Sequence, residues 1–192
     1  MHRFVLATRN EHKLREFARL LGAAIEIDRL PDAVVLPPES GKTFAANALI
    51  KARAAAEATG RAAIADDSGI EAEALGGRPG VYSARFAGAG ASDQQNLDRL
   101  RVEAPAGSVL RYVCVIALVD PAEPEPRFFE GTCSGRMTAT PRGEGGFGYD
   151  PVFRPDGRPT GETMAELSDA EKDEISHRGH AARALTAWLA GR

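Results

Sequence analysis

A run of small apolar residues leads directly into two adjacent aspartates, and this arrangement constrains the chain more than any other feature. Residues 62–65 are typical of a short buried strand, and Asp66-Asp67-Ser68-Gly69 are predicted to form the turn after it. Two carboxylates at the end of a buried strand repel each other and need a cation or strong hydrogen-bond donors. Mg²⁺ suits them because it takes one or two carboxylates together with phosphate oxygens, and Glu39 offers a further carboxylate. The alternative is an Asx-type turn without a ligand.

The order of strands and helices favours an α/β fold with a partly antiparallel sheet. Strands are predicted at 3–8, 25–30, 62–65, 109–119 and 127–138, and helices are predicted to begin after Asn10, Thr43, Ser92, Ser168 and Ser176. The strands at 109–119 and 127–138 are expected to form a hairpin, and residues 141–161 are expected to be irregular.

Charge and composition exclude several classes of protein. The 192 residues carry a net charge of −3, which argues against non-specific binding to nucleic acid or to an anionic membrane. The chain has no long apolar segment at its start and no run of membrane-spanning length, so we expect a cytoplasmic enzyme or binding protein. Cys114 and Cys133 lie in apolar runs and are expected to be buried, reduced thiols.

Two segments are candidates for binding phosphate. Thr8-Arg9-Asn10-Glu11-His12-Lys13 joins a predicted strand to a helix N-terminus, where backbone N–H groups and the helix dipole favour an anion. The alternative is a capped helix with Lys13 in solvent. Gly41-Lys42-Thr43 has the look of a P-loop, but Leu36 stands where that motif requires glycine, so we reject it.

The predicted second helix presents Thr43, Asn47 and Lys51 on one face, which either lines a pocket or faces solvent. Lys51 is one of only four lysines among the 24 lysine and arginine residues. Because arginine predominates elsewhere, the four lysines are candidates for positions that require a compact ammonium group. Arg85 follows a tight turn and also suits an anion.

A glycine-rich loop, Gly145-Gly146-Phe147-Gly148-Tyr149-Asp150, carries two aromatic residues and an acid. Such aromatic rings either stack on a planar ligand or anchor the loop. Ser176-His177-Arg178 opens the last helix, and Lys172 lies one turn upstream. Ser176 is expected to be a helix cap, and His177 alone is weak evidence for a general base.

Taken together, these segments resemble the inosine triphosphate pyrophosphatase family, which removes non-standard purine nucleotides such as dITP, ITP and XTP. The matching segments, in order, are VLATRNEHKLREF (5–17), TFAANALIKARAAA (43–56), ADDSGIEAEALGGRPGVYSARFAG (65–88), GGFGYDPVF (145–153) and TMAELSDAEKDEISHRGHAARAL (163–185). The resemblance spans nearly the whole chain and implies one pyrophosphatase domain over 1–192. It also implies an elongated mixed twisted sheet flanked by helices, two lobes with a nucleotide cleft between them, and a homodimer.

The resemblance assigns roles to individual residues. It implies that the segment from Thr8 to Lys13, together with Lys51 and Ser68, holds the triphosphate, and that Asp67 is the essential carboxylate, which ligates Mg²⁺ or activates water. Glu39 falls at a second metal-linked position, and Asp66 is the third carboxylate that we expect at the metal. The residues that match the base pocket are Phe147, Gly148, Tyr149, Asp150, Lys172, His177 and Arg178.

The implied reaction is attack of water on the α-phosphorus, which releases pyrophosphate. Donors such as His177 and Arg178 would favour a 6-oxo base over adenine. Three positions depart from the family pattern: Arg9 replaces a frequent glycine, Ala46 replaces a glutamate, and Asp173 replaces an asparagine. The alternatives are a Maf-like pyrophosphatase acting on pyrimidine or modified nucleotides, and a non-catalytic nucleotide-binding sensor.

Overall fold

Among residues 2–22 and 25–191, which the computed structural model describes, six strands build one mixed sheet. The strands are β1 (His2–Leu6), β2 (Ile25–Arg29), β3 (Ala63–Ala72), β4 (Val109–Val119), β5 (Arg127–Met137) and β6 (Phe153–Pro155). Their order in the sheet is β2-β1-β3-β4-β5-β6. Strand β1 pairs in parallel with β2 and β3, whereas β5 and β6 are antiparallel. The predicted α/β class with a mixed sheet is therefore confirmed.

The helices begin close to the predicted caps. They are α1 (Glu11–Leu21), α2 (Phe44–Thr59), α3 (Asp93–Glu103), α4 (Asp169–Ile175) and α5 (His177–Ala190). The side chains of Asn10, Thr43, Ser92 and Ser168 each accept a hydrogen bond from a backbone N–H in the first turn of the following helix. These bonds satisfy donors that a helix N-terminus otherwise leaves without partners. Helix α5 starts directly after Ser176.

The chain divides into two compact units. The first unit comprises Met1–Asp67, Cys114–Gly131 and Arg178–Arg192, and the second comprises Ser68–Val113 and Thr132–His177. Strands β3, β4 and β5 each contribute residues to both units.

In the first unit, alternation along the strands separates two apolar cores. Leu6 and Ile64 pack in a core with residues of α1 and α5, whereas Val5 and Ala63 pack in another with the alanines of α2. Successive side chains of a strand point to opposite faces of the sheet, so α1 and α5 cover one face and α2 covers the other. This alternation decides which partners the two aspartates meet further along β3.

Two predictions about secondary structure are wrong. The predicted turn at residues 66–69 is part of β3, which continues to Ala72. The segment 141–161 was expected to be irregular, but it contains β6, which pairs with β5. Both errors have one cause, since neighbouring strands supply hydrogen bonds to segments whose own residues favour turns.

Both cysteines are free and buried, as predicted. Burial raises the pKa of each thiol to about 12, which keeps both thiols protonated and unreactive at neutral pH. The helices in the described part of the chain include none that is long and apolar enough to cross a membrane.

Candidate active site

Asp66 and Asp67 lie side by side on β3 but belong to opposite faces of the sheet. Asp66 follows Ile64 toward α1 and α5, and Asp67 follows Ala65 toward α2. Both side chains are buried. The two carboxylates are therefore kept apart by strand geometry, and each faces its own set of partners.

The Asp66 carboxylate lies between two cations. Its Oδ2 is 2.9 Å from the Nζ of Lys13 and 3.3 Å from a guanidinium nitrogen of Arg178. Burial by itself raises the pKa of Asp66, but the charges of Lys13 and Arg178 outweigh that effect and hold it well below its usual range. Asp66 is thus ionised at neutral pH and acts as an anchor for both cations.

Helix α1 contributes two charged residues to the surroundings of Asp66 and Arg178. Lys13 is largely buried against Asp66, so the alternative of a solvent-exposed lysine is wrong. Glu16, one turn further on, is buried and forms an ion pair with Arg178. The sequence reasoning missed Glu16, although a glutamate between the apolar residues Leu14 and Phe17 is a signal that could have found it.

The Asp67 carboxylate has weaker compensation. The side-chain amide of Asn47 donates to Oδ2 at 2.9 Å, and the Nζ of Lys51 lies 4.0 Å from Oδ1. Lys51 is much closer to Glu39, with Nζ at 2.5 Å from Oε1. Burial raises the pKa of Asp67, Lys51 lowers it and the nearby charge of Glu39 raises it, with a net increase. A buried carboxylate with a raised pKa is typical of a proton acceptor or metal ligand.

We define the charged cluster by seven ionisable residues of the first unit: Lys13, Glu16, Glu39, Lys51, Asp66, Asp67 and Arg178. Asn47 and Lys51 are buried, so this part of the polar face of α2 does not face solvent, whereas Thr43 is exposed at the start of the helix. The cluster contains four carboxylates and three cationic side chains.

The expected three-carboxylate metal site is not formed. No group of three or more His, Cys, Asp or Glu residues in the ranges 2–22 and 25–191 is arranged to hold a metal ion. The physical reason is that Asp66 points to the opposite face of the sheet from Asp67 and is occupied by Lys13 and Arg178. Asp67 and Glu39, which both face Lys51, are the remaining candidates, and Mg²⁺ needs one or two carboxylates when phosphates complete its shell.

The segment before α1 is tightly organised. Asn10 accepts hydrogen bonds from the backbone N–H groups of His12 and Lys13, and its own N–H donates to Thr8 Oγ1. Arg9 turns away toward the loop that follows β2, where it donates to the carbonyls of residues 30, 31 and 34. These bonds tie Arg9 to that loop and favour a structural role over the predicted phosphate contact.

In the second unit, Asp150 is the centre of a smaller group. Its Oδ2 lies 2.8 Å from the Nζ of Lys172 and accepts a hydrogen bond from the backbone N–H of Phe147, while its Oδ1 accepts one from the hydroxyl of Tyr112. The Lys172 ammonium lies 5.2 Å from the centre of the Phe147 ring, and the ring of His177 stacks on Tyr112. We call these five residues the Asp150 cluster.

The glycine loop is shaped by this cluster. A Cβ atom at Gly146 would lie 2.0 Å from Asp150 Oδ2, and the φ of Gly146 is +69°, so only glycine fits. Phe147 is half-buried. Gly148 donates its N–H to Asp93 at 3.0 Å.

Tyr149 does not share this exposure. It is buried in the core of the second unit, and its hydroxyl donates to the backbone carbonyl of Ser83 at 2.7 Å. Stacking of Tyr149 on a planar ligand is therefore a wrong prediction, and the alternative of loop anchoring is confirmed. Burial of the large apolar ring is favourable, and the hydrogen bond to Ser83 satisfies the buried hydroxyl.

Ser68 and Arg85 were also predicted as binding residues, and both belong to the second unit. Ser68 is half-buried on β3 directly after Asp67. The guanidinium of Arg85 lies over the ring of Tyr82, 5.1 Å from its centre. Tyr112, which the sequence reasoning missed, lies within an apolar strand and gives no local signal of a polar role.

The fold is that of an α/β protein, and its charged cluster places Lys13, which follows β1, and Lys51 of α2 near the buried carboxylates of β3. Such a site is typical of the class of α/β proteins that bind phosphorylated ligands. A model of the Ham1 family matches residues 4–188, so the chain belongs to that family. The chain is 46% identical to a dITP/XTP pyrophosphatase of Geobacillus kaustophilus, with 97% of this chain and 92% of that protein covered. It is 51% identical to a dITP/XTP pyrophosphatase of Symbiobacterium thermophilum, with coverage of 93% and 90%.

A solved structure supports the same assignment. The HAM1 protein from Coxiella burnetii is similar with a TM-score of 0.86 and 40% sequence identity, and the match covers 100% of both chains. The resemblance inferred from the motifs is therefore confirmed at the level of family and fold.

Proposed function

We propose that this protein hydrolyses non-standard purine nucleoside triphosphates, namely dITP, ITP and XTP, to the monophosphate and pyrophosphate. The observation that carries the proposal is the environment of Asp67, a buried carboxylate with a raised pKa beside Asn47, Lys51 and Glu39. The names and coverage of the relatives support the same activity.

In the proposed mechanism, residues before and on α1, on α2 and on β3 act on the triphosphate. Lys13, Lys51, Ser68, Thr8 and Asn10 bind phosphate oxygens, and the two lysines stabilise the charge that develops on the leaving pyrophosphate. Asp67 orients the attacking water and accepts its proton, which the raised pKa favours. Asn47 holds the carboxylate in place through its bond to Oδ2.

We further propose Mg²⁺ as the cofactor. Asp67 and Glu39 would hold it, because they supply two carboxylates that both face Lys51, and Mg²⁺ needs one or two carboxylates when phosphates complete its shell. When bound, Mg²⁺ neutralises charge on the phosphates. Lys51 already neutralises part of the charge of these carboxylates, which fits a metal that arrives with the nucleotide.

For the base, we propose six of the seven residues that the resemblance implies, leaving out the buried Tyr149: Phe147, Gly148, Asp150, Lys172, His177 and Arg178. The half-buried Phe147 is suited to stacking, and the donors favour a 6-oxo purine over adenine, since adenine carries an amino donor at position 6 in place of an oxygen acceptor. We propose Arg85 as an additional anion contact.

The decisive experiment combines a substrate panel with identification of the products. Purified protein with Mg²⁺ is given dITP, ITP, XTP, dATP, dGTP, dTTP and UTP, and products are separated by ion exchange. We expect monophosphate and pyrophosphate from the first three. Diphosphate and orthophosphate, or turnover confined to dTTP and UTP, would contradict the proposal. Binding of dITP without turnover would indicate a sensor.

We also propose a homodimer in the cytoplasm, where the nucleotide pool lies. The dimer rests on the resemblance alone. Light scattering at micromolar concentration is expected to give about twice the chain mass of 20.4 kDa, and a value of 20.4 kDa would contradict it.

A further inference from the structure

Tyr112 is held firmly within the second unit. The residue lies on β4 and is buried, with its ring stacked on His177 at 4.5 Å between ring centres and an interplanar angle of 8°. Phe153 packs against the same ring, also at 4.5 Å, with a tilt of 39°. Contacts to two rings leave the Tyr112 side chain little freedom to rotate.

The hydroxyl of this fixed ring reaches the centre of the Asp150 cluster. It donates to Oδ1 of Asp150 at 3.0 Å, while Lys172 and the Phe147 backbone engage Oδ2. Each carboxylate oxygen therefore has at least one donor, and the donors come from a strand, a helix and a loop. Tyr112 contributes the donor from strand β4, and strands and helices hold side chains in place more precisely than loops do.

We propose that Tyr112 is a positioning residue that sets the selectivity for the nucleobase. It orients His177 through the stacked rings, and it orients Lys172 and Phe147 through Asp150. The proposal rests on the proposed function, since it needs these residues to contact a purine. Selectivity requires donors at fixed positions, because a donor that can move accommodates the wrong base.

The test is Tyr112→Phe, which removes the hydroxyl and keeps the stacked ring. The ratio of kcat/KM for dITP to that for dATP is expected to fall about tenfold, through a higher KM for dITP with kcat nearly unchanged. Tyr82→Phe is the matched control, because it removes a hydroxyl from an exposed tyrosine of the same unit. The control is expected to keep the wild-type ratio.

A double-mutant cycle separates positioning from general structure. If Tyr112 acts through Asp150, the double variant Tyr112→Phe with Asp150→Asn has the same KM for dITP as Asp150→Asn alone. If the two changes multiply, or if Tyr112→Phe lowers Tm and leaves the base ratio unchanged, the role is structural and the proposal is overturned.

Phe153→Leu provides an independent variant in case Tyr112→Phe does not fold. It loosens the Tyr112 ring without touching Asp150, so a smaller fall in the same base ratio is expected, and an unchanged ratio contradicts the proposal. Wild-type protein that turns over none of the nucleotides would overturn the proposed function and this assignment together. Active wild type with an unaltered Tyr112→Phe variant would overturn the assignment alone.

Discussion

The charged cluster of the first unit and the Asp150 cluster of the second unit both set a buried aspartate against a lysine, but they balance charge differently. Asp150 and Lys172 form a close pair at 2.8 Å, and further donors complete the carboxylate. In the charged cluster, Lys51 lies at 4.0 Å from Asp67 because Glu39 holds it at 2.5 Å.

This difference indicates how each region is used. A buried ion pair with satisfied hydrogen bonds fixes geometry, which suits the recognition of a rigid base. A buried carboxylate with incomplete compensation has a raised pKa and an affinity for protons and cations, which suits chemistry. The predictions below test whether the first region governs turnover and the second governs selectivity.

The largest effect is expected for Asp67→Asn. Loss of the proton acceptor should lower kcat for dITP about 10²- to 10⁴-fold. Initial rates with dITP at saturating concentration measure this loss, and full activity in the variant would exclude Asp67 from its role.

Asp66→Asn, at the neighbouring position, should act on stability. Asp66 is ionised and paired in the folded state, so the change removes the buried counter-charge of Lys13 and leaves Arg178 with Glu16 as its remaining ion-pair partner described above, at a cost of about 3–5 kcal/mol. The folded-state pKa of Asp66 is depressed, so its stabilisation is present above the unfolded-state pKa and is lost as pH falls through the folded-state value.

Urea unfolding at pH 7 and at low pH measures this effect, and the gap between wild type and Asp66→Asn should narrow in acid. Asp67→Asn is the matched control. The pKa of Asp67 is raised by folding, so its contribution is favourable only at low pH and is lost as pH rises through that value. Asp67→Asn should therefore keep or increase the free energy of unfolding at pH 7. Equal losses in both variants would contradict the assigned environments.

Replacement of a single lysine by arginine should affect different kinetic constants in the two regions. Lys51→Arg places a planar fork where a compact ammonium contacts Glu39 and approaches Asp67, so kcat is expected to fall about tenfold. Lys172→Arg should raise the KM for dITP with a smaller change in kcat. Wild-type kinetics in Lys51→Arg would show that the scarcity of lysine has no functional meaning.

The smallest effect is expected for Arg9→Gly, which lies outside both clusters. The variant loses the bonds from the guanidinium to the loop carbonyls of Leu30, Pro31 and Val34, and gains freedom in the unfolded chain. Because Arg9 is partly exposed, we expect a loss of about 1 kcal/mol in urea unfolding. Arg9→Lys keeps the charge without the fork, and a loss of turnover in Arg9→Lys would instead indicate a phosphate contact.

The starts of the helices and the family could be predicted from the sequence, because the signals for both are local. Asn10, Thr43, Ser92 and Ser168 bond to N–H groups two or three residues away, so a short window contains both partners. The motifs that indicate the family are likewise continuous segments.

The length of β3 could not be predicted from the sequence, and the role predicted for Asp66 as a metal ligand depended on where this strand ends. The residues Asp-Asp-Ser-Gly favour a turn when taken alone, and a turn would place both carboxylates at one metal. As a strand, the same residues alternate between faces and separate the carboxylates. Tyr149 is a similar case, because its neighbours in the chain give no sign that its hydroxyl donates a hydrogen bond to the backbone carbonyl of Ser83.

The sequence by itself determined which charged groups the protein has, where its helices begin and which family it belongs to. Only the tertiary structure decided which charges meet, and so why Asp66 anchors cations while Asp67 keeps a raised pKa. Asp66 and Arg178 are 112 residues apart along the chain, and Glu16 and Arg178 are 162 apart. Coulomb energy and desolvation depend on distance in space and on burial, and neither quantity is written in the order of the residues.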